Sequence, residues 1–423
     1  MTMPQAKQIA FIIIALVIGL AIGGAAGYFA RPPAAPPEEG AVKKLPEEIP
    51  IGGLFALTGP LSSYGKRQKT AAELAISDIN DYLAKLGYDV RFVLISEDTK
   101  VSKEEALRDI QTLAARGVKV VLGPLASSEV AAVKGFADEH EIVVISHAST
   151  APALGIAGDF VFRFVPTDVF QGKALATIAW SLGLKKVVVL YRGDEWGEGL
   201  YEAFKENLEA KGGTVEAVKY DPKAKELSAE ARRVSDLVKD FGGPSPEVGV
   251  LLISFEDDGV AALTAAKDDP VLTAVAWLGC DGTAMSVKIA EQAGDVVVKT
   301  GGLMSTVFAP TTSPKQEEFK RRMEEILGES PDPYCYNIYD AAWVAALSII
   351  EAGVYDGETI RKVLPDVASR YFGVSGWCVL DENGDRAGGD YLIYKVVETP
   401  EGYVWVEAGV YHIVTDSVTW FEG

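Results

Sequence analysis

Gly123-Pro124-Leu125-Ala126-Ser127-Ser128 and, shortly after, Ile145-Ser146-His147-Ala148-Ser149-Thr150-Ala151-Pro152 decide how this chain is read. Each stretch follows a short β-branched apolar run, Val118 to Leu122 and then Ile142 to Ile145. Each offers small hydroxyl residues where a helix can begin. Open α/β sheets bind ligands outside the carboxyl ends of their strands. Ser and Thr hydroxyls can donate there, and the free N–H groups of a helix start can receive an anion. Two adjacent loops of this kind read as a seat for a small carboxylate.

Outward from these loops the chain alternates strand and helix. Strands are expected at Ile49 to Ala56, Val90 to Ile95, Val118 to Leu122 and Ile142 to Ile145, with helices at Tyr64 to Leu86, Lys103 to Arg116 and Ser127 to Asp138. Ala72, Ala75, Ile76, Ile79, Leu83 and Leu86 form the apolar face of the first helix. A second series follows Phe160 to Val165. Its expected strands are Lys186 to Tyr191, Thr214 to Val218, Val248 to Ile253, Val271 to Leu278 and Val296 to Leu303. Its helices are Phe170 to Leu182, one carrying Leu200, Phe204 and Leu208, then Leu227 to Phe241 and Asp257 to Lys267. Helices at Pro314 to Leu327 and Tyr334 to Ala352 precede terminal strands at Trp377 to Leu380, Tyr391 to Val397 and Tyr403 to Val410. The fold class is α/β, with two doubly wound, mostly parallel lobes at about 49–166 and 167–303.

The 423-residue length suits about two domains. A formal net charge of −20 argues against a nucleic-acid partner, because phosphate binding needs a basic face. The three cysteines, Cys280, Cys335 and Cys378, make neither a disulfide framework nor a zinc spacing; one bridge, Cys335 to Cys378, stays open as an option. At the N-terminus, Ile9 to Ala30 is an uncharged apolar run between Lys7 and Arg31, long enough to span a bilayer. Residues 1–31 therefore read as a membrane anchor, with a cleaved signal as the alternative, since Ala25, Ala26 and Gly27 would suit a peptidase. Either way the remainder lies outside the cytoplasm. The proline-rich stretch 32–48 reads as a stiff spacer.

Catalytic signatures are missing. The chain has no Gly-x-Ser-x-Gly elbow and no Gly-Lys-Ser/Thr phosphate loop. The first strand runs into Ala56-Leu57-Thr58-Gly59-Pro60-Leu61, where Pro60 removes an N–H that a phosphate cradle would use. With three histidines, none paired at ligand spacing, neither a metal nor another cofactor is expected, and a hydrolase reading lacks its nucleophile. His147 beside the seat is either a base or a pocket-shaping loop residue. Ser127, Ser128, Ser149 and Thr150 either cap helices or hold a ligand, and one helix end can do both. Tyr64, Trp196 and Phe255 fall at strand carboxyl ends, as pocket walls or as helix-entry packing. Asp281, in Leu278-Gly279-Cys280-Asp281-Gly282, can accept from an ammonium or cap the next helix.

Ordered motifs then point to a family. They include Leu57-Thr58-Gly59-Pro60 with Tyr64-Gly65, Gly123-Pro124 with Ser127-Ser128, and Ile145-Ser146 with Thr150 and Pro152-Ala153-Leu154. Phe162-Arg163, Gln171-Gly172, Trp196-Gly197-Glu198-Gly199-Leu200, Tyr339-Asp340-Ala341 and Asp381-Glu382-Asn383-Gly384-Asp385 follow in order. The chain resembles the type I periplasmic solute-binding proteins of ABC importers, in particular the leucine/isoleucine/valine-binding group, from about Ile49 to Tyr394. The resemblance implies two lobes joined by a three-crossing hinge and closing on a ligand. Residues 304–376 would return to the first lobe and 377–423 would complete the second. It also implies an α-carboxylate site at Ser128, Ser149 and Thr150, an ammonium site at Asp281, and a side-chain enclosure of Tyr64, Trp196 and Phe255. The implied partners are an amino acid and a permease pair with cytoplasmic ATPases; a receptor ectodomain is the alternative. Asp281 stands where the family commonly has Glu, and Trp196 and Phe255 where it often has Tyr, so the ligand's side chain is left open.

Overall fold

A computed structural model describes residues 45–421; the apolar run Ile9 to Ala30 and the spacer up to residue 44 lie outside the described residues. Strand β1 (Glu48–Phe55) leads into α1 (Ser62–Lys85), β2 (Arg91–Asp98), α2 (Lys103–Ala115), β3 (Val120–Leu122), α3 (Ser127–His140), β4 (Val143–Ser146) and β5 (Val161–Arg163). These strands make a parallel sheet in the order β2-β1-β3-β4-β5. The second series is α4 (Asp168–Ser181), β6 (Lys186–Arg192), α5 (Glu195–Ala210), β7 (Thr214–Tyr220), α6 (Ser228–Asp240), β8 (Val248–Ile253), α7 (Glu256–Ala266), β9 (Ala276–Gly279), α8 (Val287–Lys299) and β10 (Met304–Phe308). Helices α9 (Pro314–Leu327), α10 (Pro333–Ala352) and α11 (Gly357–Ser369) follow, then β11 (Tyr391–Thr399), β12 (Gly402–His412) and β13 (Ser417–Trp420).

The second sheet runs β13-β12-β11-β10-β9-β8-β6-β7. It is parallel from β7 to β10 and antiparallel from β10 to β13. The central strand β8, Val-Gly-Val-Leu-Leu-Ile, is buried throughout, as a strand covered by helices on both faces must be. After β10 the chain leaves the second sheet. Buried residues of α9, α10 and α11, among them Phe319, Ile338, Val344 and Leu364, pack into the core of the first sheet with Ile51, Ala75 and Ile145. It then goes back to lay β11 on β10. Among the described residues, no single helix is long and apolar enough to cross a membrane.

Four expectations need correcting. The strand expected at Val296 to Leu303 is the end of α8 and the loop beyond it. Ile289, Ala290, Ala293, Val296 and Val297 are buried at helical spacing, so one apolar stripe outranks the β preference of Val296-Val297-Val298. The next strand, β10, belongs to the second sheet, so the return to the first begins after Phe308 and not at residue 304. Val271 to Leu278 divides into a 3-10 turn (Leu272–Ala274) and β9. Trp377 to Leu380 forms only isolated bridges, Phe372 to Trp377 and Leu380 to Arg386. Helix α11, started by Asp356 accepting from Thr359 N at 3.0 Å, and strand β13 were not anticipated.

Candidate functional site

The strand ends of both sheets converge on one buried cavity of about 30 Å³, roughly the liquid volume of one water molecule. Tyr64, Leu125, Ala126, Ser127 and Ala148 wall it from the first series, Trp196, Phe255, Asp281 and Gly282 from the second, and Tyr334 from α10. Gly123 makes the first loop possible. Its φ is +89°, and a Cβ there would meet Leu54 O at 2.2 Å, so the backbone turns where a side chain has no room.

The seat is held together by its own hydrogen bonds. Ser149 Oγ donates to Ser127 Oγ at 2.9 Å, and Ala151 N donates to the same oxygen at 3.2 Å. Thr150 Oγ1 donates to Asp168 Oδ2 at 2.9 Å. Ser127 opens α3, so the N-terminal end of the helix is aimed at the seat. Below the seat, Arg163 is wholly buried and holds the Asp381–Asp385 turn with a fork. Its Nε donates to Asp385 Oδ1 at 2.5 Å and its Nη2 to Oδ2 at 2.6 Å, while Nη1 donates to Ala151 O at 2.7 Å. The late Asp-Glu-Asn-Gly-Asp turn therefore positions the Ser149–Ala151 loop from far along the chain.

Ser127, not Ser128, reaches the cavity. Ser128 is one residue further round α3, roughly 100° away on a helix, and lines a separate groove with Lys103, Arg192 and Asp194. Ser149 and Thr150 are buried in the seat; Tyr64, Trp196, Phe255 and Asp281 line the cavity. The Trp196 and Phe255 rings stack at 4.8 Å, and the Arg192 guanidinium lies 4.2 Å from the centre of the Phe255 ring. His147 is buried one layer back, where its Nε2 pairs with Gln68 Oε1 at 2.7 Å. Burial holds its pKa down at about 3, so it stays neutral and packs. Cys280, Cys335 and Cys378 are buried and free, so the Cys335 to Cys378 bridge is not formed.

Two residues extend the site beyond the sequence reading. Tyr334 OH donates to Asp281 Oδ2 at 2.6 Å. Asp168, the first residue of α4, is buried and electrostatically coupled to Asp281. Asp281 Oδ1 and Asp168 Oδ1 are both buried without a hydrogen-bond partner. Burial pushes the Asp281 carboxyl up to about 6. Burial, and then the charge of Asp281, raises Asp168 well above the usual carboxylate range. Among the described residues no salt bridge reaches either carboxylate. Asp281 thus presents a buried carboxylate to the cavity, with Asp168, bonded to Thr150, close enough to feel its charge. An ammonium brought there would be paired and desolvated together with them. The only sequence signal for Asp168 was its place at a helix start four residues before Gly172. Tyr334 had none, because it lies in a helix that reads as buried all round.

The sequence profile described as "Receptor family ligand binding region" matches residues 67–399. An uncharacterised protein of Methanocaldococcus jannaschii is 39% identical over 396 residues, covering 88% of this chain and 91% of its own. A leucine-, isoleucine-, valine-, threonine- and alanine-binding protein of Pseudomonas aeruginosa is 25% identical over 358 residues, covering 82% and 90%. The crystal structure of a leucine-binding protein, LivK, from Thermotoga maritima superposes with a TM-score of 0.71 at 23% identity, covering 85% of this chain and 97% of its own. Fold, order of motifs and breadth of match agree: the chain belongs to the receptor-type ligand-binding family and shares the fold of that leucine-binding protein.

Proposed function

We propose that this chain is the extracytoplasmic amino-acid-binding subunit of an ABC importer. The observation that carries the reading is the buried Asp281 carboxylate, in no salt bridge among the described residues, lining the same cavity as Ser127 of the hydroxyl seat. An α-amino acid is a small molecule that carries both an anion and a cation. Its carboxylate would take the Ser127 hydroxyl and, where they turn from their present bonds to Asp168 and Ser146, the Thr150 hydroxyl and the Ser149 N–H; its ammonium would take Asp281. Its side chain would lie among Tyr64, Trp196, Phe255 and Leu125. The buried charges fix orientation, and most of the affinity comes from desolvation and lobe closure. No catalysis is asked of the site. The apolar run Ile9 to Ala30 would tether the binder, and the spacer would keep it at high local concentration near its permease and the cytoplasmic ATPases.

The test is a thermal-shift screen of the purified full-length chain in mild detergent against the amino acids and their amides. Calorimetry with leucine, isoleucine and valine follows. A saturating ligand at a hundred times its Kd stabilises by about 2.7 kcal/mol, which a melting curve reads directly. If no amino acid or amide shifts the curve, the reading fails. The family description as a receptor ligand-binding region favours one second reading, a sensor ectodomain. Cross-linking to a permease in membranes separates the two.

A further inference from the structure

Ser63 and Glu256 meet across the cleft without lining the cavity. Ser63 lies in the first turn of α1, and its Oγ donates to Glu256 Oε1 at 2.7 Å. Glu256 is the first residue of α7, on the other lobe, where a carboxylate is favoured by the helix N-terminus. Within its own lobe, Glu256 Oε1 also accepts from Ser286 Oγ at 2.8 Å. Glu256 is wholly buried, and its Oε2 has no hydrogen-bond partner. Arg67, one turn beyond Ser63, donates from Nε to Ser63 O at 3.2 Å, and its buried Nη2 is likewise without a partner. Alongside, Tyr64 OH donates to Ala284 O at 2.6 Å.

These contacts belong to the closed state. Parting the lobes would break the Ser63 bond and return Glu256 to water, so closing must desolvate a carboxylate that Ser286 alone does not satisfy. A charge-assisted bond to a buried acceptor is stronger than a neutral one. A cross-lobe ion pair, Lys103 to Glu195 at 2.7 Å, is about half exposed and weakened by screening.

We propose that Ser63 and Glu256 form a latch that holds the lobes closed and so sets how long a ligand stays bound. The proposal rests on the binding reading above, but its test has a readout that needs no ligand. Asp366 on α11 and Asp236 on α6 are exposed, at 72% and 51% of their side chains, and the native cysteines are buried. Spin labels at D366C and D236C in the full-length chain then report the lobe separation. Ser63→Ala should shift the ligand-free distribution to longer distances. With L-leucine as probe it should raise the dissociation rate about tenfold, leave the association rate within twofold, and leave the ligand-free melting temperature unchanged. Ser63→Thr, which keeps the hydroxyl, should restore both readouts, a rescue that a merely structural role would not give. The latch is overturned if Ser63→Ala changes neither the distances nor the dissociation rate by more than twofold. If leucine and the other amino acids fail to bind the parent while Ser63→Ala still lengthens the distances, the binding reading falls and the latch stands.

Discussion

Ligand affinity should depend on pH through one proton at Asp281. Its carboxyl sits at about 6 in the ligand-free protein. An ammonium pairs only with the ionised form, so the proton must leave before binding. The apparent association constant then scales as the ionised fraction: about 0.9 at pH 7 and about 0.09 at pH 5, so the Kd weakens about tenfold between them. Asp168 beside it is also raised, first by burial and then by the charge of Asp281. Stability of the ligand-free protein runs the other way. The folded value lies above the unfolded one near 3.9, so the folded state binds the extra proton between them, and this contribution grows as pH falls from about 6 to about 4. Titration calorimetry at pH 5, 6 and 7, in buffers of differing ionisation enthalpy, reads both the Kd and the protons released. Asp281→Asn should remove the proton release and weaken binding by about 2–5 kcal/mol, which is roughly thirty-fold or more. A Kd that stays flat from pH 7 to pH 5, with no proton exchanged, would refute the assignment of Asp281 to the ammonium.

Ser127→Ala should weaken amino-acid binding about tenfold, and Ser128→Ala by less than twofold, in the same calorimetric assay. Asp385→Ala would leave Arg163 charged and buried without its partner; chemical denaturation should show a loss of about 3–5 kcal/mol. Trp196→Ala would open the cavity beside Phe255, so the affinity ratio of phenylalanine to leucine should rise in competition binding.

Much of the architecture was legible because parallel sheets write themselves as short β-branched runs. Val248 to Ile253 and Val118 to Leu122 could hardly have been anything else. The failures came where a local pattern had two meanings. Val296-Val297-Val298 has strand composition and closes a helical stripe, and the neighbours of Ile289 and Ala293 decided between them. Trp377 to Leu380 has strand residues but finds no continuous partner strand. The site was legible as residue types at strand ends, which is how Asp281, Trp196 and Phe255 were found. Sequence could not choose between Ser127 and Ser128. Both are small hydroxyls at one helix start, and only the direction of the first helical turn separates a cavity wall from a neighbouring groove.

By itself the sequence determined the alternation of strands and helices, the hydroxyl-bearing loops and the absence of a nucleophile motif, because each is carried by neighbours along the chain. Tertiary structure alone decided that the chain goes back to the first sheet after Phe308 and that Asp385 anchors the Ser149–Ala151 loop through Arg163. It also decided that Asp281 and Tyr334 meet at one cavity, with Asp168 close enough to feel the charge of Asp281. Asp168 and Asp281 lie in different segments, and no local spacing records their approach. Their coupling exists only because two lobes fold over one buried space, where burial pushes both carboxyls up.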